Sequence, residues 1–405
     1  MARTTPRPDS FRMRAHGPDY GLLAIVAALG IIGLITVYSS SYALGYAQFQ
    51  DANYFVKRQA VFLVIGFGVL IIAMMTDYRL LMRTSPLLML MALIGLTAVL
   101  IPGIGMTQNG AHRWIALGPL PALQPSEFAK LAVLIYMAAW LTAKGDQVQD
   151  VSLGVMPFVT MVGLIGALIM LEPDMGTAVI VAAITGTLFF VSGAKWTHLG
   201  AVVGSGLLLG AILIMSSGYR ASRILSFTSA EDHADGVGFH TLQLIVAFGS
   251  GGIFGRGLGV SRQKFFYIPG SHTDGALAII GEELGFIGVM LVLALFTYLL
   301  WRGLKIVQRA PDQFGSLLAM GALSWIALQF VINVGGVTRA IPLTGIPLPF
   351  LSYGGSALIA TLAAMGVLLS VSRYSAIVDP EREAPTRGVL RSIGLGSAGA
   401  MGRAQ

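Results

Sequence analysis

The sequence predicts an all-α polytopic membrane protein: ten transmembrane helices, with a large extracytoplasmic loop between spans seven and eight. Three observations predict it. Hydrophobic residues make up 55% of the 405 and charged residues 11%, and the mean hydropathy is +0.76, which excludes a soluble globular domain. The apolar residues come in continuous runs of about 20, enough to cross a roughly 30 Å hydrocarbon core as helix and unlike the alternation of a barrel strand. Lys and Arg crowd the segments between alternate runs, which sets an orientation.

Residues 1–19 are polar, hold Arg3, Arg7, Arg12 and Arg14, and read as a cytoplasmic N-terminal segment. Spans are expected at about 21–44, 59–76, 86–101, 126–143, 151–171, 176–193, 197–215, 275–301, 314–337 and 355–373 within a single membrane domain, 20–374. The first run is too long for the apolar region of a cleaved signal and reads as a retained anchor. Residues 375–405 mix charge with Gly, Ala and Ser and read as a disordered cytoplasmic tail.

With both termini inside, the cytoplasmic segments hold Arg79, Arg83, Lys144, Lys195, Arg302, Lys305, Arg309 and Arg373 besides the terminal cations. The short outer loops hold Lys57, Arg58, Arg113 and Arg339. The loop from about 216 to 274 is the exception, carrying Arg220, Arg223, Arg256, Arg262 and Lys264 outside, which long loops tolerate. These five cations suit an anionic ligand or anionic lipid headgroups. Within that loop Thr241–Phe254 is apolar but too short to span, and reads as a re-entrant or interfacial piece.

Cysteine is absent, which rules out disulfides and thiolate metal sites. The net charge of +7 belongs to a membrane protein's loops and does not indicate nucleic-acid binding. The 51 glycines suit close helix packing in lipid.

Gly249–Gly285 is the polar anomaly in this chain. Gly255-Arg256-Gly257-Leu258-Gly259 has the composition of a phosphate-cradling loop, but its spacing is not the dinucleotide fingerprint, and glycine turns are often only turns. Asp274 stands at the mouth of the eighth span. It is either an N-cap for that helix or a general base at the membrane boundary, with His272 beside it to tune it or merely exposed. Glu282 and Glu283 follow about 12–14 Å further along and point about 100° apart, so they are not expected to act as a catalytic pair.

Glu127 and Lys130 open the fourth span at i, i+3; they either pair with each other or mark an intramembrane functional site. Glu172-Pro173-Asp174 suits a tight outer turn that begins a helix. Three prolines between Pro342 and Pro349 forbid regular helix there and make a rigid outer loop running to Ser352 and Tyr353. No histidine stands at i, i+4 with another, and no Ser-His-Asp order appears.

These blocks together resemble the SEDS proteins (shape, elongation, division and sporulation) over nearly all of residues 20–374. The resemblance is carried by Asn109–Ile115 with Gln124–Lys130, by Glu172–Thr177, by His272-Thr273-Asp274 with Gly281–Gly285, and by Leu351–Ser356. Gly257–Lys264 is similar to the division branch, FtsW, more than to the elongation branch, RodA. The neighbours of Asp274 depart from the family: Gly270 and Ser271 follow Pro269, and Gly275, Ala276 and Leu277 follow the aspartate.

The resemblance implies a peptidoglycan glycosyltransferase that polymerises lipid II by inverting displacement of undecaprenyl pyrophosphate. It implies Asp274 as the base, and substrate binding by Arg113, Glu127, Lys130, Arg223, Arg262, Lys264, His272, Ser352 and Tyr353. Glu172, Asp174, Glu282, Glu283 and Asn333 are expected in support. A divalent cation, Mg or Mn, is a further expectation, although the sequence shows no cage for it. Expected partners are a class B penicillin-binding protein and other divisome or elongasome membrane proteins, in the bacterial cytoplasmic membrane. A lipid II flippase and a non-catalytic divisome scaffold are the alternatives.

Overall fold

The computed structural model describes residues 16–108, 111–117, 120–215, 227, 238–265, 267–268 and 270–374. The cations at 3, 7, 12 and 14, Arg220, Arg223 and the tail from 375 lie outside the described residues. The helices are α1 (Tyr20–Phe49), α2 (Tyr54–Met75), α3 (Tyr78–Val99), α4 (Pro125–Lys144), α5 (Met156–Leu171) and α6 (Met175–Val191). They continue with α7 (Trp196–Met215), α8 (Phe239–Gly251), α9 (Ala276–Gln308), α10 (Gln313–Val337) and α11 (Gly355–Ser372). Among the described residues nine helices are long and apolar enough to cross a membrane, and α6, in the place of the sixth expected span, is a shorter apolar helix. Its 17 residues reach about 25 Å, a little under a hydrocarbon core.

Polar residues at the helix starts explain several boundaries. Asp19, Asp77, Asp174 and Asp312 each accept a first-turn backbone N–H, of Leu22, Arg79, Thr177 and Gly315. Pro125 opens α4, where its missing N–H costs nothing. One feature departs from the expected all-helical pattern. Gly105–Gln108, Ala111–Leu117 and Leu120–Leu123 form a three-stranded antiparallel sheet, β1-β2-β3, before α4. The apolar piece at 241–254 is the helix α8, docked on α9 and buried at Leu244 and Ala247.

The core lies between α4, α6, α10 and α11, with Leu134, Leu188, Trp325 and Leu368 fully enclosed. α2 runs along α11, where a Cβ at Gly366 would come within 2.5 Å of the Leu70 carbonyl; only glycine permits that approach. α7 carries no buried residue.

Polar contacts sort the helix ends into two faces. On one, His16 N–H donates to the Arg373 carbonyl at 2.8 Å and Arg302 reaches Asp19 at 2.8 Å. There too the Tyr78 hydroxyl meets Asp312, and Arg373 caps the Met74 and Met75 carbonyls. The first and last helices thus begin and end on the same face. The acidic and hydroxyl residues singled out in the sequence gather at the other.

Candidate active site

Asp274 sits in the turn that leads into α9, and its carboxylate does not cap that helix: Gly275 is the N-cap, with no side-chain cap bond. One oxygen, Oδ1, accepts from the Thr273 hydroxyl at 3.0 Å; Oδ2 accepts no hydrogen bond among the described residues. The half-buried carboxylate is therefore available to a ligand. Gly270 shapes the turn beneath it, with φ of +71° and a Cβ position 2.6 Å from Oδ1, a place where any side chain would collide.

The backbone of this turn is held from three directions. The Ser271 hydroxyl donates to the Ser40 carbonyl of α1 at 3.1 Å. Tyr353 N–H donates to the His272 carbonyl at 2.8 Å. The Asn333 amide of α10 donates to the Asp274 carbonyl at 3.1 Å and to the Ile346 carbonyl at 2.8 Å. None of these anchors engages the Asp274 carboxylate.

The His272 ring lies against Phe55 and Tyr353, at 4.8 and 5.5 Å between centroids. Burial pushes its pKa down to about 4, so the imidazole is neutral beside Asp274. Burial also raises the Tyr353 phenol, with Arg58 opposing. Ser352 is turned inward: its hydroxyl accepts from Leu348 N–H at 2.9 Å, and its carbonyl accepts from Gln59 of α2 at 3.2 Å. Ser352 thus shapes the proline-rich loop and presents no hydroxyl to a ligand.

Glu282 and Glu283 form a second cluster. α9 is interrupted at Gly285, where φ is 66° and ψ −163°. The carbonyls freed by the break accept from Arg256 and Gly257 N–H, each at 3.0 Å. Against the phosphate-cradle reading of Gly255–Gly259, the Arg256 and Gly257 amides are already engaged with α9, and Gly255 (φ +80°) stands where a Cβ would come within 2.1 Å of the Glu283 carbonyl. The side chains of the adjacent glutamates both meet the 261–264 segment. Glu282 accepts from the Ser261 hydroxyl and from Arg262 N–H at 2.9 Å. Glu283 takes the Lys264 ammonium at 2.7 Å and the Ser39 hydroxyl of α1 at 2.6 Å.

Lys264 was expected to bind substrate, but its side chain is 0% exposed and faces inward between Glu283 and the Tyr42 ring. Arg262, held by its backbone on Glu282, keeps an exposed side chain. Arg223 lies outside the described residues.

A third cluster surrounds the start of α4. Lys130 and Glu127 pair at 2.7 Å, both buried, with Lys130 over the Trp325 ring at 4.9 Å. The mutual ion pair, one of the two readings open for these residues, is present. Arg113 donates to the Glu172 carbonyl at 3.0 Å and to that of Pro173, and stands 3.9 Å from Asp174. Asp174 caps α6 and accepts from Gln124 at 3.2 Å. Glu172 is fully buried with neither carboxyl oxygen hydrogen-bonded among the described residues. Burial, then Asp174, push it up to about 8 against the pull of Arg113, so it holds its proton at neutral pH.

The clusters are connected. Adjacent serines of α1 touch two of them, Ser39 at Glu283 and Ser40 at Ser271. Gln124 N–H donates to the Ser356 hydroxyl at 3.0 Å, tying the start of α4 to the start of α11. Sequence reasoning missed Ser39, Ser40, Gln59, Gln124 and Ser261. The run Ser39-Ser40-Ser41 inside an apolar span was a readable signal for the first two.

The chain matches the family model of FtsW, RodA and SpoVE, described as cell cycle protein, over residues 20–377. It is 45% identical over 361 residues to the stage V sporulation protein E of Bacillus subtilis (strain 168), covering 88% of this chain and 98% of the relative. It is 42% identical to the probable peptidoglycan glycosyltransferase FtsW of Trichlorobacter lovleyi, covering 89% and 94%. Its fold is similar to a chain of a peptidoglycan synthase complex described for the structural coordination of polymerization and crosslinking, with TM-score 0.72, 29% identity and coverage of 88% and 98%. It is also similar to the rod shape determining protein RodA of Thermus thermophilus, with TM-score 0.63, 28% identity and coverage of 89% and 98%.

Proposed function

The chain belongs to the FtsW, RodA and SpoVE family of cell cycle proteins, and from that premise we propose that Asp274 is the base of a peptidoglycan glycosyltransferase that polymerises lipid II. The enzyme is a multi-pass membrane protein. Its place is the bacterial cytoplasmic membrane with both termini inside, and its work is the septal wall. The observation that carries this reading is the carboxylate of Asp274, anchored through its backbone and engaged by neither helix cap nor ion pair.

Asp274 takes the proton of the acceptor sugar's 4-hydroxyl as that oxygen bonds to the donor's anomeric carbon. The bond from that carbon to the pyrophosphate breaks with its electron pair, and undecaprenyl pyrophosphate leaves. Direct displacement inverts the anomeric centre and needs one base on the attacking side. Arg262, outward on the Glu282-anchored segment, meets the charge gathering on the pyrophosphate. Lys264 acts at one remove, by fixing that segment to Glu283.

Among the described residues no group of three or more His, Asp or Glu side chains is placed to hold a divalent ion. The described donors supply no such cage, and the magnesium or manganese of this proposal enters with the substrate's pyrophosphate. The partner is a class B penicillin-binding protein that crosslinks the product, in company with other divisome proteins.

The test is Asp274→Asn in purified, reconstituted protein supplied with lipid II. Polymerisation falls about 10²- to 10⁴-fold, the usual worth of a general base, while thermal stability and partner binding stay at the wild-type level. Full polymerisation by the variant would refute the assignment. Lipid II translocation without polymerisation, in the wild type, would favour a transporter, and partner recruitment alone a scaffold.

A further inference from the structure

Three adjoining serines of α1 stand outside the chemistry above. Ser39, Ser40 and Ser41 are 6%, 2% and 1% exposed, within a helix long and apolar enough to span the membrane. Ser40 and Ser41 return their hydroxyls to α1 itself, to the Thr36 and Val37 carbonyls at 2.7 and 2.6 Å. Back-bonding of this kind satisfies a hydroxyl that has no outside partner. Ser39 instead sends its hydroxyl across to Glu283 of α9, 2.6 and 2.7 Å from the two carboxylate oxygens, and accepts from the Lys264 ammonium at 3.2 Å.

α1 meets every segment that builds the site. Ser39 holds Glu283, which also takes Lys264, and Tyr42, one turn further along, covers the same ammonium with its ring at 4.9 Å. Both contacts fix the 261–264 segment that carries Arg262. The Ser40 carbonyl takes the Ser271 hydroxyl at 3.1 Å, just before the base. Gly33 fits so closely against the proline-rich loop that a Cβ there would come within 2.0 Å of the Phe350 carbonyl. That loop in turn holds the His272 carbonyl through Tyr353 N–H.

We propose that α1 is the gauge of the active site. Ser39, acting through Glu283 and Lys264, is a positioning residue for Arg262, and the Ser40 carbonyl, acting through Ser271, positions Asp274. The inference rests on Asp274 being the base and on Arg262 meeting the pyrophosphate.

The reaction asks for such a gauge. Direct displacement puts the base on one side of the anomeric carbon and the leaving group on the other, so its rate depends on the separation of the groups that serve them. Arg262 and Asp274 sit on separate stretches of one irregular segment, which by itself does not hold a distance. Consecutive residues of a helix do. They lie about 1.5 Å apart along the axis and about 100° apart around it, so Ser39 and Ser40 face two different segments from one rigid mount. A serine kept only for packing would back-bond as its two neighbours do. A hydroxyl given to a buried carboxylate makes a charge-assisted bond, stronger than one between neutral groups.

The test follows polymerisation of lipid II by the full chain, reconstituted, in steady state and in single turnover. Ser39→Ala and Ser271→Ala each lower kcat about tenfold with KM within about twofold of wild type, because each misplaces a group that acts in the transition state. Ser39→Thr, which keeps the hydroxyl, restores the rate. Arg262→Ala then separates the two arms. In that background Ser39→Ala costs less than about twofold more, since the residue it places is gone, while Ser271→Ala still costs about tenfold. Thermal unfolding in detergent shows that each variant is folded; where Ser39→Ala is not, Ser39→Cys, a weaker donor, takes its place in the cycle.

Losses that multiply in both backgrounds would overturn the gauge and leave these serines to packing. So would a folded Ser39→Ala protein with wild-type kcat, a loss that Ser39→Thr does not restore, a rise in KM at constant kcat, or Arg262→Ala at the wild-type rate. Asp274→Asn polymerising at the wild-type rate refutes the base and leaves the cycle between Ser39 and Arg262 standing. Multiplying losses beside an inactive Asp274→Asn protein refute the gauge alone.

Discussion

Asn333 donates one hydrogen of its amide to the backbone carbonyl of Asp274, at 3.1 Å, and the other to the carbonyl of Ile346, at 2.8 Å. One buried side chain thus ties the turn that carries the base to the proline-rich loop. Asn333→Ala leaves two buried carbonyls unsatisfied, at about 1–3 kcal/mol each. Loosening the turn lowers kcat by about 10²-fold, the usual effect of misplacing a reacting group by about an ångström. Single-turnover polymerisation rates, alongside thermal unfolding in detergent, check this; a kcat unchanged in folded protein would remove Asn333 from the positioning of Asp274.

Lys264 and Glu283 are joined at 2.7 Å with side chains 0% and 3% exposed. Lys264→Met leaves a buried carboxylate without its cation and costs about 3–5 kcal/mol. Adding Glu283→Gln in the same chain removes the stranded charge and recovers most of that loss. A double-mutant cycle on the unfolding midpoint measures the coupling, and additive effects would refute it.

His272 stays neutral in the fold down to about pH 4, whereas its ordinary pKa is 6.5. Between these values the unfolded chain binds the proton that the folded chain refuses. Stability from this residue is therefore complete above pH 6.5 and falls as pH drops toward 4, by on the order of 3 kcal/mol in total. His272→Phe, which suits the aromatic neighbours, flattens that acid limb. Unfolding temperature against pH for the two proteins gives the comparison, and identical slopes would exclude His272 as its source.

Glu172 behaves in the opposite sense. Its folded pKa is raised from 4.5 to about 8, so the fold holds a proton that the unfolded chain releases. Its contribution is complete below pH 4.5 and declines as pH rises through 8. Glu172→Gln, neutral and of the same shape, raises the unfolding temperature at pH 8 to 9 relative to wild type and leaves it little changed at pH 5. A variant less stable at pH 9 than wild type would show that the carboxylate has an anion-stabilising partner.

The membrane-spanning helices were legible in the sequence, because hydropathy is a local signal. Lys264 shows what is not local. Its partners Glu283 and Ser39 stand 19 and 225 residues away, so nothing near it tells an anion-binding lysine from a buried one. Gly255–Gly257 were ambiguous for the same reason: composition shows that a backbone approaches something closely, and only the fold shows that this something is α9. Asp274 was ambiguous in sequence because an N-cap and a base occupy the same place at a helix mouth. The absence of a side-chain cap bond separates the two.

The interruption of α9 at Gly285 has a mechanical consequence. A continuous 33-residue helix would act as a lever, passing every tilt of its lower part to the turn that carries Asp274. Here residues 252–257 are stitched to both sides of the break by four backbone hydrogen bonds: Arg256 and Gly257 donate to the 282 and 283 carbonyls of the upper segment, and Phe286 and Ile287 of the lower segment donate to Gly252 and Ile253. The joint is thus a splice with its own bracing. Both halves of the helix share one clamp, so the direction in which the chain leaves the Asp274 turn is set by residues 252–257 as well as by the helix axis.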